Sequence, residues 1–452
     1  MNKITVIDSI MGSGKTSWAM QYMFEQNLAC TQNFIFVTPF LDEVERVKKA
    51  LPDLHFKEPT HKGGKSKLES FNELLLNGDN IVTTHKTFSN ATDETIEYLR
   101  QGDYILILDE VLDILIQFND ACKDNVKLKD IDLLIDNQLI SVDEYGKVTW
   151  TGKDYIGGKF TNVERTAKNG TLYLIDGTFL VWSFPAEIFQ LFKQVFVLTY
   201  LFDGSYLKPY FEYHHISFDI KGIKKYYSAE YDDMVYTLTE HRDDIATRQK
   251  YRELMDICEN QRMNNFKASA LSKKWYTNAQ RRGNLKELQV MLSNYFKNIT
   301  KAKAEDILWT CPKGDKDSDS DSAKGSFVKA LSGKGYTIRP YTADEKVLPD
   351  SEKAKIKRDC FLPCNARATN DYGNRSVLAY VFNMFPNPYV KRYFEKKNVT
   401  DKTNIHVDED KLALSCMLQW IWRSRIRNNE PIHIWIPSTR MRNLLYDWFA
   451  GA

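Results

Sequence analysis

Long apolar runs are missing from this chain. Nowhere in its 452 residues is there anything close to the roughly 18–20 consecutive apolar positions that a helix needs to cross a bilayer. The first residues also lack the charged-then-apolar pattern of an export signal. The expectation is a protein that stays in the cytoplasm where it is made, with no membrane partner. An excess of one charge is missing too. Lys and Arg number 62 against 60 Asp and Glu, a net charge of +2. That excludes a protein that coats nucleic acid by bulk charge, while a strand-gripping local groove remains compatible with it. Cysteine is scarce and scattered: Cys30, Cys122, Cys258, Cys311, Cys360, Cys364 and Cys416 form an odd set that reads as free thiols. Cys360 and Cys364 are closely spaced, but Cys311 lies far upstream and no histidine is near in sequence, so no zinc site is expected. Hydrophobic content of 43% and charged content of 27% describe a globular chain. Its length exceeds one ordinary core, so two or three domains are expected.

What is present begins at residues 9–16, Ser9-Ile10-Met11-Gly12-Ser13-Gly14-Lys15-Thr16. An apolar run at 4–7 precedes them and a helical segment at 17–26 follows. Strand, glycine-rich turn, Lys-Thr and helix is the order of a phosphate-binding loop. Its glycines let backbone N–H groups curl round an anion, the helix start adds positive potential, the lysine reaches the outer phosphates and the threonine hydroxyl holds magnesium. Ser9 stands where the usual pattern begins with glycine.

Further strands follow at 34–39, ending in Thr38-Pro39, and at 80–85, ending in Thr83-Thr84-His85, where a threonine can cap the next helix. The apolar run 104–108 leads straight into Asp109-Glu110. Two carboxylates at the end of a buried strand are costly without a compensating cation. Beside a phosphate loop Asp109 can hold magnesium and Glu110 can orient the attacking water. The bland alternative is an acidic cap on a helix at 111–117. A helix candidate at 123–137 and a glycine-bearing loop carry no assigned chemistry. Apolar strands are expected at 172–178, ending in Asp176-Gly177-Thr178, and at 195–200, the latter completing the first sheet.

This order resembles the first motor domain of a superfamily 2 helicase of the DExx type. Residues 12–16 match its motif I, Thr38-Pro39 resembles motif Ia, Thr83-Thr84-His85 motif Ib, and Asp109-Glu110-Val111-Leu112 motif II. For motif III the candidates are Asp176-Gly177-Thr178 and Leu198-Thr199-Tyr200. Residues 305–311, with Thr310, resemble motif IV. The loop Cys364-Asn365-Ala366-Arg367-Ala368-Thr369-Asn370 resembles motif V. Residues 412–427 read as a helix resembling motif VI, although Trp422 replaces its glycine and Arg427 lies one position late. On that helix Arg423 and Arg427 would share a face. Between 267 and 284, Lys267, Lys273, Lys274, Arg281 and Arg282 surround Trp275-Tyr276, which suits either a strand-tracking surface or a solvated helix with buried aromatics. Residues 313–324 are of low complexity and are expected to form a surface loop. The wording of the last two motifs is similar to bacteriophage-encoded members.

The resemblance implies an α/β protein with two RecA-like P-loop NTPase domains: residues 1–215 binding ATP, a helical linker or insertion at 216–300, and a second motor domain at 301–452, with the ATP site in the cleft between the motor domains. It implies an ATP-dependent translocase or helicase with ATP and Mg2+ as cofactors. Gly12, Ser13, Gly14, Lys15, Thr16 and Asp109 would bind nucleotide, with Thr16 and Asp109 on the metal. Glu110, Lys15, Arg423 and Arg427 would be catalytic. Thr38, Pro39, Thr84, His85, Thr310, Arg367, Thr369 and Asn370 would contact nucleic acid. Single-stranded DNA is the expected track, ahead of RNA, in phage replication or recombination with replication proteins as partners. The rivals are a terminase-like packaging ATPase joined to a nuclease, and a nucleic-acid clamp that binds ATP without turnover. The acidic run 408–410 could serve a nuclease, but it sits where acidic residues favour a helix start.

Overall fold

A strand covered on both faces reads as an unbroken apolar run, and the first sheet is built from such runs. The computed structural model describes residues 4–29, 32–39, 41–61, 64–153, 155–241, 244–314, 325–353, 356–365 and 371–451. The chain divides into two compact units, one of Met1–His241 with Pro386–Asp408, the other of Arg242–Phe385 with Glu409–Ala452. This differs from the expected divisions at 215 and 300, because strands after residue 215 still belong to the first sheet.

The strands of the first unit are β1 (Ile4–Asp8), β2 (Asn33–Thr38), β3 (Ile81–Thr84), β4 (Tyr104–Asp109), β5 (Leu115–Gln117), β6 (Ile140–Val142), β7 (Val148–Trp150), β8 (Leu172–Ile175), β9 (Phe179–Ser183), β10 (Gln194–Thr199), β11 (Phe218–Ser228) and β12 (Asp233–Glu240). Among the described residues the principal sheet has seven strands in the order β12-β11-β1-β10-β4-β2-β3. Its pairings are parallel except for the β11–β12 hairpin. Helix α1 (Lys15–Leu28) buries Trp18, Ala19 and Met23, and the Trp18 ring meets Phe196 of β10 edge-on at 5.1 Å between centroids.

Four expectations change here. The run at 195–200 joins the first sheet but does not complete it: as β10 it lies in the centre, between β1 and β4, and β11 and β12 come after it. The run at 172–178 is not in this sheet at all. It forms β8 in a three-stranded antiparallel sheet, β5-β9-β8, and Asp176-Gly177-Thr178 turns the chain into β9. No helix forms at 111–117, since Leu115–Gln117 pairs with β9. The segment 216–300 is not simply helical: it opens with β11 and β12 and then supplies a strand to the second unit.

That second unit holds β13 (Met255–Ile257), β14 (Ile307–Thr310), β15 (Val377–Tyr380) and β16 (Ile432–Trp435), parallel in the order β13-β16-β15-β14. Residues 359–361 add only single pairings, of Trp309 with Phe361 and Ile338 with Asp359. Trp309, Tyr336, Tyr295, Phe296 and Trp435 form an aromatic core. Within it the Trp309 indole N–H donates to the Tyr336 carbonyl at 3.0 Å. Tyr276 is buried in the same core with its hydroxyl on the Val381 carbonyl at 2.6 Å, and Trp275 packs against it. The five cations between 267 and 282 point to solvent. Tyr276 therefore serves packing, while Trp275 is half-buried against the same core.

The arginine-bearing helix is Glu409–Ile421, and it stops before its arginines. Ser424 is extended (φ −86°, ψ −176°), with its hydroxyl on the Ile421 carbonyl at 2.7 Å. The Arg425 N–H donates to the Arg375 carbonyl at 3.0 Å, outside any helical pattern. Arg423 therefore lies in the turn after the helix and Arg427 in a 3₁₀ turn, Arg425–Asn428. The expected shared helical face is absent. The Glu409 and Asp410 carboxylates occupy the first turn of the helix, as expected, and Asp410 accepts from Arg440 Nε at 2.8 Å.

Two stability outcomes follow from packing. Trp309→Ala removes a fully buried indole and strands the Tyr336 carbonyl, so denaturant unfolding should show a loss of about 3–5 kcal/mol; an unchanged midpoint would contradict the core assignment. His214 lies against the rings of Tyr210 and Tyr213, 4.4 and 4.7 Å between centroids. Burial, aided by the charge of Lys397, pushes its imidazole down from 6.5 to about 3. A depressed histidine leaves the unfolded chain binding more protons below pH 6.5, so its contribution is full above that pH and fades as pH falls toward 3. The fade is at most about 1.4 kcal/mol per pH unit. His214→Phe should flatten the acid limb of a melting-temperature profile, and parallel profiles for the two proteins would exclude this origin.

Candidate functional site

The carboxyl edge of the principal sheet brings the distant motifs together. β1 ends at Asp8, whose buried carboxylate accepts the N–H groups of Leu201 and Phe202 at 2.8 and 3.0 Å. Its pKa is raised by burial, against the pull of those bonds and of His241. This fixes the end of β10 beside the start of the glycine-rich loop. The next residue, Ser9, donates its N–H to the Thr199 carbonyl at 3.2 Å, and its hydroxyl accepts the Ile223 N–H of β11 at 3.0 Å. A glycine could not make that second bond, which gives a structural reason for serine at the leading position.

Gly12 and Gly14 take positive φ of 79° and 98°, which L-residues with a side chain rarely adopt. Gly14 is also the N-cap of α1 and offers no side-chain cap to the first turn. The Ser13 hydroxyl is enclosed with no hydrogen-bond partner among the described residues. Lys15 Nζ turns back to donate to the carbonyls of Ile10, at 3.1 Å, and Ser9. A helix start without a side-chain cap, an enclosed hydroxyl and an ammonium held by the loop itself suit a group of anionic oxygens.

Across β10, the Thr16 hydroxyl donates to Asp109 Oδ1 at 3.3 Å, although 93 residues separate them. Burial first, then the charges of Glu110 and Glu43, lift the Asp109 carboxyl to about 7, opposed by Lys15 and Arg46. A carboxylate so short of positive charge beside a hydroxyl is a donor pair fit for a hard divalent cation. Glu110 has φ +70°, a left-handed backbone costly for a non-glycine residue and concentrated at functional sites. Its N–H continues the sheet by donating to the Leu198 carbonyl at 3.0 Å. That contact places Leu198-Thr199-Tyr200 beside Asp109-Glu110, whereas Asp176 faces Arg392 at 2.7 Å elsewhere in the unit.

The expected nucleic-acid contacts fare unevenly. His85 is buried, and its Nε2 meets the Asp109 carbonyl at 3.0 Å, so it braces the acidic strand. Thr84 sits at the N-cap of the short helix His85–Phe88 without a capping bond to the backbone; its hydroxyl lies 3.3 Å from that of Thr87. Thr38 and Thr310 are fully buried with unpartnered hydroxyls among the described residues, so neither presents a side chain to solvent. Pro39 is half-buried. Arg367, Thr369 and Asn370 lie outside the described residues. Arg423 and Arg427 belong to the second unit. Among the described residues no three His, Cys, Asp or Glu side chains gather as a metal-binding group.

One component of the site escaped the sequence reading. Tyr236 of β12 packs on Gly14 so closely that a methyl group there would overlap its ring. The Gln21 side chain of α1 accepts the Tyr236 N–H at 2.9 Å and donates to its carbonyl at 3.3 Å. The alternating run Val235-Tyr236-Thr237-Leu238-Thr239 was the available signal for this strand.

Two family descriptions match the chain: the YonV C-terminal Rossmann-like domain at residues 249–449 and the YonV middle domain at 123–182. The latter spans β6 to β9, the part of the first unit that intervenes between β4 and β10. The solved structure of S. tokodaii Xpd4 is similar over 98% of this chain and 94% of its own, at 13% identity and a TM-score of 0.45. A likeness of that size establishes neither fold nor activity. The SPbeta prophage-derived protein YonV of Bacillus subtilis (strain 168) is 36% identical over 464 residues, covering 99% of both chains. The chain thus belongs to the YonV family.

Proposed function

We propose that the protein is an ATP-dependent nucleic-acid translocase of the superfamily 2 helicase kind. One observation carries the reading: the Thr16 hydroxyl and the Asp109 carboxylate, from two motifs far apart in sequence, meet at 3.3 Å beside the glycine-rich loop. In this reading residues 12–16 hold the triphosphate, and Thr16 with Asp109 hold Mg2+, whose charge would stabilise the phosphoryl oxygens. Glu110 orients the attacking water and accepts its proton; its left-handed backbone supports a role that demands a fixed carboxylate. Lys15, now on loop carbonyls, exchanges them for phosphate oxygens. Arg423 and Arg427 keep their part as transition-state cations on the strength of the motif resemblance, without the common helix face. Two RecA-like domains remain part of the proposal; the parallel sheets of both units support it. The Bacillus subtilis relative is prophage-derived, which supports a phage replication or recombination setting.

Glu110→Gln should lower ATP turnover by about 10²–10⁴-fold while nucleotide binding persists. Lys15→Ala should lose both, measured by phosphate release and by a fluorescent ATP analogue. Normal hydrolysis by the glutamine variant would overturn the catalytic assignment. Turnover of the full chain should rise severalfold on adding single-stranded DNA, with RNA as the parallel arm. ATP binding without hydrolysis under either condition would favour a clamp, and stimulation by neither strand would sink the translocase.

A further inference from the structure

The β11–β12 hairpin runs past the sheet on the same side as the glycine-rich loop. β11 pairs in parallel with β1 only from Phe218 to Lys221, alongside Ile4–Ile7. Its remaining residues, through Ser228, pair only with β12 and continue in the strand direction beyond the carboxyl edge of the sheet. At about 3.3 Å per residue that is an overhang of some 20 Å, on the edge where open α/β sheets bind ligands. The hairpin is fastened at its foot by the Ser9 hydroxyl on Ile223. It is fastened again by the Gln21 amide, which takes both backbone groups of Tyr236.

Tyr236 stands opposite Lys225 in the hairpin and touches the backbone of Gly14. Gly14 and Gln21 are seven positions apart, two turns along one face of α1, so the ring is held on the face that starts at the phosphate loop. The ring is half-buried, not sealed into the core, and Lys225 beside it is exposed. An aromatic ring anchored one residue from Lys15 is well placed for the other end of a nucleotide. With phosphates in the loop, ribose and base must leave along the loop's flank, and every base offers a π-face to stack on.

We propose that Tyr236 is the residue on which the base of the bound nucleoside triphosphate stacks, with Gln21 as its positioning residue. This rests on reading residues 9–16 as a nucleotide loop. Stacking reads ring area and not a hydrogen-bonding edge, so purine nucleotides should bind more tightly than pyrimidine ones.

The test titrates ATP and inorganic tripolyphosphate into the full chain by calorimetry, with melting temperature as the folding control. Tyr236→Ala and Tyr236→Leu should weaken ATP by about tenfold and leave tripolyphosphate unchanged. Tyr236→Phe and Tyr236→Trp should bind both as the parent does. The leucine variant retains apolar contact with α1, so it separates stacking from simple packing. Equal loss of ATP and tripolyphosphate in the leucine variant would mean that Tyr236 only supports the loop, and would overturn the proposal. So would undiminished ATP binding by the alanine variant, with the nucleotide site itself intact. Failure of the parent protein to bind either compound, with a normal melt, would instead overturn the nucleotide loop and this inference together.

Discussion

The approach of the Thr16 hydroxyl to Asp109, at 3.3 Å, is the constraint on which the rest of the first unit depends. It requires β1 and β4 to end level with each other, one strand apart. That strand is β10, and its register with both neighbours is set over its whole length. The bonds at its carboxyl end make the alignment specific. Asp8 holds the amides of Leu201 and Phe202, Ser9 donates to Thr199, and Glu110 donates to Leu198. The backbone and carboxylate groups around the loop therefore satisfy one another across three strands, as buried polar groups must.

The same arrangement explains a residue that looks irregular in the sequence. Serine at the head of the loop lacks the freedom of glycine, but the conformational demand has moved to Gly12 and Gly14. The hydroxyl thus released fastens β11. Through β11 the sheet gains β12, and through β12 it gains the ring against Gly14. Gly14 is consequently constrained twice, by its left-handed backbone and by the ring that fills the space of a side chain.

The local order of strand, loop and helix was legible in the sequence, while sheet order was not. The glycine-rich loop could be placed because its glycines, lysine and threonine stand at fixed spacing between a strand and a helix, and Asp109-Glu110 could be placed at a strand end because carboxylates follow an apolar run. The central place of β10 could not be read. The chain between β4 and β10 folds as a separate layer with its own core, from Phe118 through Leu180, and its strand β8 is as apolar as a parallel strand would be. Periodicity cannot tell which of two such runs crosses back into the main sheet. The β11–β12 hairpin was obscured by its Lys and Asp residues, which suit a projecting ribbon as well as a helix surface. Trp275-Tyr276 showed the reverse ambiguity: cations beside aromatics describe a binding surface and a half-buried helix equally, and burial decides only for Tyr276.

The end of the helix Glu409–Ile421 shows why a motif's spacing can hold while its geometry changes. Apolar periodicity runs on through Trp422 and Ile426, both buried, so nothing local predicts a stop. The stop is imposed from elsewhere. The Arg375 carbonyl takes the amide of Arg425, and Arg375 is itself a fully buried cation whose guanidinium donates to the backbone carbonyls of Ala304 and Glu305. Only Nη1 makes these bonds, and the buried Nε has no partner among the described residues; a shift that lost the two carbonyls would strand the charge further in a medium of low polarity. The chain at 422–427 must therefore bend to meet Arg375, and it carries Arg423 and Arg427 on a turn where a continuous helix would have set them in one row. Any contribution these two arginines make to catalysis is thus set by the packing around Arg375 more than by helical spacing.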